Sequence, residues 1–447
     1  MFEELNLRMK ISPTRLPLLL CILFAALLSA QAQTPAQTPS ATRPRTVTGA
    51  QAPSQSSVPE PTPTIEPRTP AQSGTSMSPA PSGAYVSPAP QTFPAPATVL
   101  PPPMPLKPLA HQLPMSKIKT RLAEAQRLFK SRATPSAMTP ASLQTVTLAV
   151  LDPDSSQILQ LPFPKEIFLR KNSEAALPSV TGSMLNARIV RANGVNTAVI
   201  VSDNTGRQLV PLVVEYPIER NGYFREMAYY TSVHPALLSP EVVRAGESYV
   251  RTMIDLAAKR LRDKGVEIQP ALVDMAERLC IVEHVDHMRF RQENRRSLYE
   301  EIFALYALNE LDTYRYSVST AGAGGMVQMI PATYQMIRRE HPGIGLNPDF
   351  VNGMRNHGNA LEAMLLYIKD TWSLLATNEE VIEALKNGTA TQPELLAAGY
   401  NSNPARLPLY LRRGGSGWRV LIPRETQMYL QIYASLDSLI PMKRRAA

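Results

Sequence analysis

The chain has 447 residues, 44% of them hydrophobic, which excludes a wholly disordered protein. Its 42 prolines are unevenly placed, 23 of them between Thr34 and Pro140, so the folded part is nearer about 300 residues than the full length. The balance of 46 Lys and Arg against 37 Asp and Glu, a formal charge of +9, favours an anionic partner without separating nucleic acid, membrane or wall polymer.

Arg8, Lys10 and Arg15 precede an apolar stretch from Leu16 to Leu28, and Ser29-Ala30-Gln31-Ala32 brings small residues to a cut after Ala32. This is the pattern of a signal peptide over residues 1–32, and the apolar stretch is short of the roughly 20 residues that span a bilayer. Export is therefore expected, with no transmembrane span in the mature chain. Cys21 leaves with the peptide, and the bulky Leu20 before it argues against lipid attachment there. Cys280 then stands alone, so no disulfide forms within one chain. It follows Leu272, Met275, Ala276 and Leu279 at helical spacing, as a core residue would.

Residues 33–141 are rich in Pro, Ala, Ser and Thr and are expected to be a disordered linker, a tether that gives reach. Near its end, residues 116–130 place Ile118, Leu122, Ala125 and Phe129 on one helical face among Lys117, Lys119, Arg121, Arg127 and Lys130. This short basic helix either meets an anionic surface or docks on the next domain. Over residues 142–223 the period changes to two, as at Val146, Leu148 and Val150, with turns at Asp152-Pro153-Asp154, Asn193-Gly194 and Asp203-Asn204-Thr205-Gly206. The pattern predicts a small antiparallel β-sandwich-like accessory module. It carries no obvious chemistry and is expected to pack or to hold a partner, such as a cell-envelope protein.

Residues 224–447 are expected to be mainly α. Ser239 caps a helix that opens with Pro240, and further helices are predicted from Pro270 and over Arg295–Leu311, Pro331–Arg339, Asn359–Leu375 and Arg424–Leu436. Within one of these, Phe303, Tyr306, Ala307 and Glu310 share a face, so a carboxyl group continues an apolar stripe. Desolvation and the helix dipole would raise the pKa of such a group and suit it to general acid chemistry; a glutamate that simply reaches solvent is the alternative. The glycines around Ala323 are either a turn or a stretch of backbone that a polymer can approach closely. They do not have the spacing of a phosphate loop.

The segment from Glu310 through Ser319, Gly322-Ala323, Gly325 and Gln328 to Pro331-Ala332-Thr333 resembles the catalytic domains of soluble-type lytic transglycosylases, related in fold to goose-type lysozyme. Two later blocks match in order: Gly399-Tyr400-Asn401-Ser402-Asn403-Pro404-Ala405-Arg406 and Pro423-Arg424-Glu425-Thr426-Gln427-Met428-Tyr429. The resemblance covers roughly Arg295 to Leu436. It implies a lysozyme-like domain that cleaves the β-1,4 bond from N-acetylmuramic acid to N-acetylglucosamine in peptidoglycan glycan strands without consuming water. It further implies location in the periplasm or envelope of a bacterium. By the same matching Glu310 would be the catalytic acid and then base, with Ser319, Gln328, Tyr400, Asn401 and Glu425 contacting the sugars and Tyr400 near Glu310. No cofactor is implied. The chain departs from the pattern at Leu311, at Tyr314-Arg315-Tyr316, at Ile330 and at Gly399. A hydrolysing muramidase of goose-lysozyme type and a non-catalytic wall-binding scaffold are the alternatives.

Asp312 is a second carboxyl group close to Glu310. His284 and His287 sit three apart but lack a third ligand, so no metal site is expected there. Arg289, Arg291, Arg295 and Arg296 form a basic face, Trp372 and Trp418 are either core or sugar platforms, and nothing resembles a nucleic-acid-binding module.

Overall fold

The computed structural model describes residues 112–132, 143–220 and 222–446. The expected signal peptide and most of the expected linker lie outside the described residues, and among those described no helix is long and apolar enough to cross a membrane.

The period-two region forms seven antiparallel strands: β1 (Thr145–Leu151), β2 (Ile158–Pro164), β3 (Glu174–Pro178), β4 (Met184–Arg191), β5 (Ala198–Asp203), β6 (Gln208–Arg220) and β7 (Tyr223–Tyr230). Their order is β2-β1-β6-β5-β4-β3, with β7 also on β6. The expected sandwich is realised as a single sheet. Long β6 joins its halves, pairing β5 at its start, β1 along its middle and β7 from Val214 onward. The Val180 amide, just past β3, donates to the Gln160 carbonyl of β2 at 2.8 Å and brings the ends of the sheet together. The result is close to a barrel.

The predicted turns at Asp152 and Asp203 sit where expected and share a cation. Asp152 accepts the Asp154 amide at 3.0 Å, and Asp203 accepts those of Thr205 and Arg207 at 2.9 and 3.0 Å. Arg207 also binds the Asp152, Asp154 and Asp203 carboxylates, tying the β1–β2 and β5–β6 turns together. Its hydrogen bond is the main reason that the Asp152 carboxyl is held down at about 2.

Two boundaries move. The β module extends to Tyr230, beyond the expected 223, because β7 completes β6. The basic helix, α1 (Met115–Lys130), belongs to this module as well: Ile118, Leu122, Ala125 and Phe129 are buried in one cluster with Val146, Leu148 and Val150. Its apolar face docks, and its basic face looks outward.

Thirteen α-helices occur among the described residues, including the single turn Lys165–Phe168. After α1 come α2 (Pro240–Asp263), α3 (Pro270–Val282), α4 (His287–Gln292), α5 (Arg295–Asn309) and α6 (Pro331–Glu340). They are followed by α7 (Phe350–Arg355), α8 (His357–Leu375), α9 (Glu379–Lys386), α10 (Gln392–Asn401), α11 (Leu407–Gly414) and α12 (Arg424–Leu439). Ser239 caps α2 as expected, its hydroxyl accepting the Val242 amide at 3.3 Å. α4, α7, α9, α10 and α11 were not expected, although Thr391 and Glu394 form a reciprocal capping box at the start of α10.

α5 joins the two regions. Tyr299, Ile302, Phe303 and Tyr306 enter the helical core, while Ala304, Leu305, Ala307 and Leu308 enter the core of the β module. Burying each such leucine contributes about 1.5–3 kcal/mol, so the module is bound to the helices by a shared apolar layer. α2 crosses α5 at Gly246, where a Cβ would overlap the Phe303 carbonyl. The contact requires a glycine.

Candidate active site

α6, α8 and α10 line a cleft of about 580 Å³, within the range of small-molecule sites. Its lining takes Met329 and Ile330 just before α6, Ala332, Thr333 and Met336 from α6, Tyr367, Asp370, Thr371 and Leu374 from α8, and Tyr400 with Asn401 from the end of α10. One carboxyl group enters from a different direction. Glu283 follows the last residue of α3, a helix buried at every residue from Leu272 to Val282, and its amide still bonds back to the Leu279 carbonyl at 3.0 Å. The helix therefore delivers Glu283 to the cleft lining with only 6% of its surface exposed. The Tyr429 hydroxyl, buried on α12, donates to Glu283 Oε1 at 2.6 Å and fixes the carboxyl group.

Three of the expected site residues line this same cleft. Gln328 has its side-chain amide turned to the Gly325 carbonyl at 2.8 Å and to Ser317 Oγ at 3.3 Å, on a backbone with φ of 46°. Tyr400 donates to the Val327 carbonyl at 2.7 Å and meets the Tyr367 ring edge-on. Burial, followed by the charge of Glu283, pushes the Tyr400 phenol well above its ordinary value, so it remains a hydrogen-bond donor. Asn401 Oδ1 accepts from Thr426 Oγ1 at 2.9 Å, which leaves its amide nitrogen for other partners. Two of the matched blocks thus line one cleft; the third abuts it through Thr426 on Asn401 and Tyr429 on Glu283, and its Glu425 is not among the lining residues. Glu425 stands in the first turn of α12, half-buried and next to Thr426.

Ser319 does not line the cleft. Its hydroxyl accepts the Ala323 amide at 3.0 Å and closes the glycine turn. The glycines serve packing more than polymer access: Gly324 and Gly325 are buried, and a Cβ at Gly325, where φ is 67°, would overlap the Met354 carbonyl.

Glu310 is outside the cleft as well. α5 ends at Asn309, whose side chain exchanges two hydrogen bonds with the Thr231 backbone at 2.8 and 2.9 Å and anchors the helix end to the segment after β7. The backbone then turns to a φ of 38° at Glu310, so the apolar stripe is not continued. The side chain is 46% exposed and forms an ion pair with Lys119 of α1. Tyr400, expected near Glu310, is near Glu283 instead. Leu311 and Asp312 are exposed beside it, with Asp312 paired to Arg315.

Glu283 was not singled out as an acid from the sequence, though its pattern was present. It lies three, four and seven residues after Cys280, Leu279 and Ala276 and so continues a stripe as Glu310 was expected to. Cys280 is buried, and desolvation pushes its thiol up, as suits a core residue. His284 stacks on Tyr314 with 3.3 Å between ring centroids and places Nε2 on the Met326 carbonyl, so it is built into the fold. Arg289 is engaged by Glu293 and Glu301. Trp418 is fully buried and Trp372 packs against the cores. Among the described residues, the set of side chains able to hold a metal is Glu340, His341 and Asp370.

No family model matches this chain, and searches of curated proteins and of solved structures find no match either.

Proposed function

We propose that the protein is a peptidoglycan lytic transglycosylase with a lysozyme-like helical domain, and that its acid is Glu283 and not Glu310. The observation that carries this reading is the meeting of Glu283, held by Tyr429, with Gln328, Tyr400 and Asn401 in a single cleft. Those three residues come from the sequence blocks that resemble the transglycosylases. α4 and α5 then intervene between the acid and the Ser-Gly segment. The departures at Leu311 and Tyr314-Arg315-Tyr316 lose their weight, because they were departures only with Glu310 as the acid.

In the proposed reaction Glu283 gives its proton to the glycosidic oxygen as the bond from the muramic C1 to that oxygen breaks, releasing the 4-hydroxyl of N-acetylglucosamine. The carboxylate then takes the proton of the muramic C6 hydroxyl as its oxygen bonds to C1 and closes a 1,6-anhydro ring. One carboxyl group suffices because the nucleophile belongs to the substrate. A buried carboxyl group is disfavoured as an anion, which suits the first step. Tyr400 and the Asn401 amide would contact the sugar, and the apolar walls from Met329 to Met336 would exclude water.

A hydrolytic reading has one observation in its favour, since Glu340 and Asp370 also line the cleft and could serve a water molecule. Asp370 is engaged with His341 at 2.6 Å, which weighs against it. Mass spectrometry of purified peptidoglycan incubated with the protein decides between them. Muropeptides ending in 1,6-anhydro-muramic acid are expected, and their loss with Glu283→Gln. Reducing muramic ends would make the protein a hydrolase, and binding to the wall without release would make it a scaffold.

A further inference from the structure

A second group of polar side chains stands where α6 and α8 line the cleft. Glu340 is the last residue of α6, His341 follows it, and Asp370 projects from α8. One donor atom from each lies within 4.8 Å of the others, and His341 Nε2 is 2.6 Å from Asp370 Oδ2. These residues take no part in the proposed acid chemistry of Glu283.

We propose that Glu340, His341 and Asp370 form a binding site for one divalent transition-metal ion of the zinc class. The donor set is mixed, an imidazole nitrogen with two carboxylates, whereas Ca²⁺ and Mg²⁺ favour oxygen alone. Donors bound to zinc at about 2.0–2.2 Å sit roughly 3.4 Å apart in a tetrahedral arrangement, so side-chain shifts of about an ångström would complete the site. The local charges also call for a cation. The carboxylates of Glu340 and Asp370 stand within 4.8 Å of one another there. The carbonyl end of α6 adds negative potential at the same point. Glu340 and Asp370 both line the cleft, so the coordination positions left by three protein ligands would face it, open to water or to an oxygen of a bound ligand.

The test uses the full chain freed of metal by chelation, titrated calorimetrically with ZnCl₂ and separately with CaCl₂. One Zn²⁺ per chain should bind, with Ca²⁺ at least tenfold weaker, and Co²⁺ should give visible ligand-field absorption. Glu340→Gln, His341→Ala and Asp370→Asn should each weaken Zn²⁺ at least tenfold, while His287→Ala should not. Glu340→Gln is the mildest change and keeps the test decisive should another variant fold poorly. Absence of saturable Zn²⁺ binding, or binding unchanged in Glu340→Gln and His341→Ala, would overturn the proposal. None of these readouts depends on glycan cleavage, so the metal site and the proposed reaction stand or fall separately.

Discussion

Glu283 and Glu310 start from the same local pattern, a glutamate at the carboxyl end of a helix continuing an apolar stripe, and they finish in opposite settings. α3 is packed on all sides, so the residue after its end is still inside the protein. α5 is buried along two faces by two different cores, and its end is held at the boundary between them by Asn309, so the next residue emerges beside α1. Periodicity states which face of a helix is apolar. Whether that face stays covered past the last turn depends on what lies beyond the helix.

The difference is open to direct attack. The largest effect is expected from Glu283→Gln, which should lower glycan cleavage roughly 10²–10⁴-fold, the usual worth of a positioned acid, while Glu310→Gln stays within about threefold. Measured release of muropeptides checks both, and the reverse ranking would restore Glu310. Leu305→Ala, cut from the α5 face that enters the β module, should destabilise the protein by about 2–4 kcal/mol in urea unfolding. A cost below about 1 kcal/mol would mean that the module and the helices are only loosely joined. Tyr429→Phe removes the hydroxyl that fixes Glu283 and should reduce kcat about tenfold with little change in KM, because the phenol touches the acid rather than the glycan. The smallest effect belongs to Lys119→Ala. Its pair with Glu310 is about half exposed, so stability should change by less than about 1 kcal/mol and cleavage hardly at all.

Much of the architecture was legible before any coordinates. Alternation marked β1, β4, β5 and β6, the Asp-led turns fell where expected, and Ser239-Pro240 opened α2. β7 was hidden, since Tyr223-Phe224-Arg225-Glu226 does not alternate cleanly and its identity comes from pairing with β6. The site was legible in part. The blocks containing Gln328, Tyr400 and Asn401 were found in sequence and do converge, and Tyr429 stood inside a matched block without a role. Ser319 was misplaced because a hydroxyl next to a glycine turn bonds the local backbone more readily than it reaches a cleft.

The sequence by itself determined many of the strands and helices, where several of them begin and which of their faces are apolar, because these depend on dihedral preference, capping and periodicity over a few residues. It also brought the three blocks to attention as a set. Only the tertiary structure decided that α1 belongs to the β module, that α5 serves two cores and that the buried carboxyl group of the cleft is Glu283. The reason is that burial and electrostatic environment are set by atoms distant in the chain. Tyr429 lies 146 residues from Glu283, and Asn309 and Thr231, which end α5, are 78 apart.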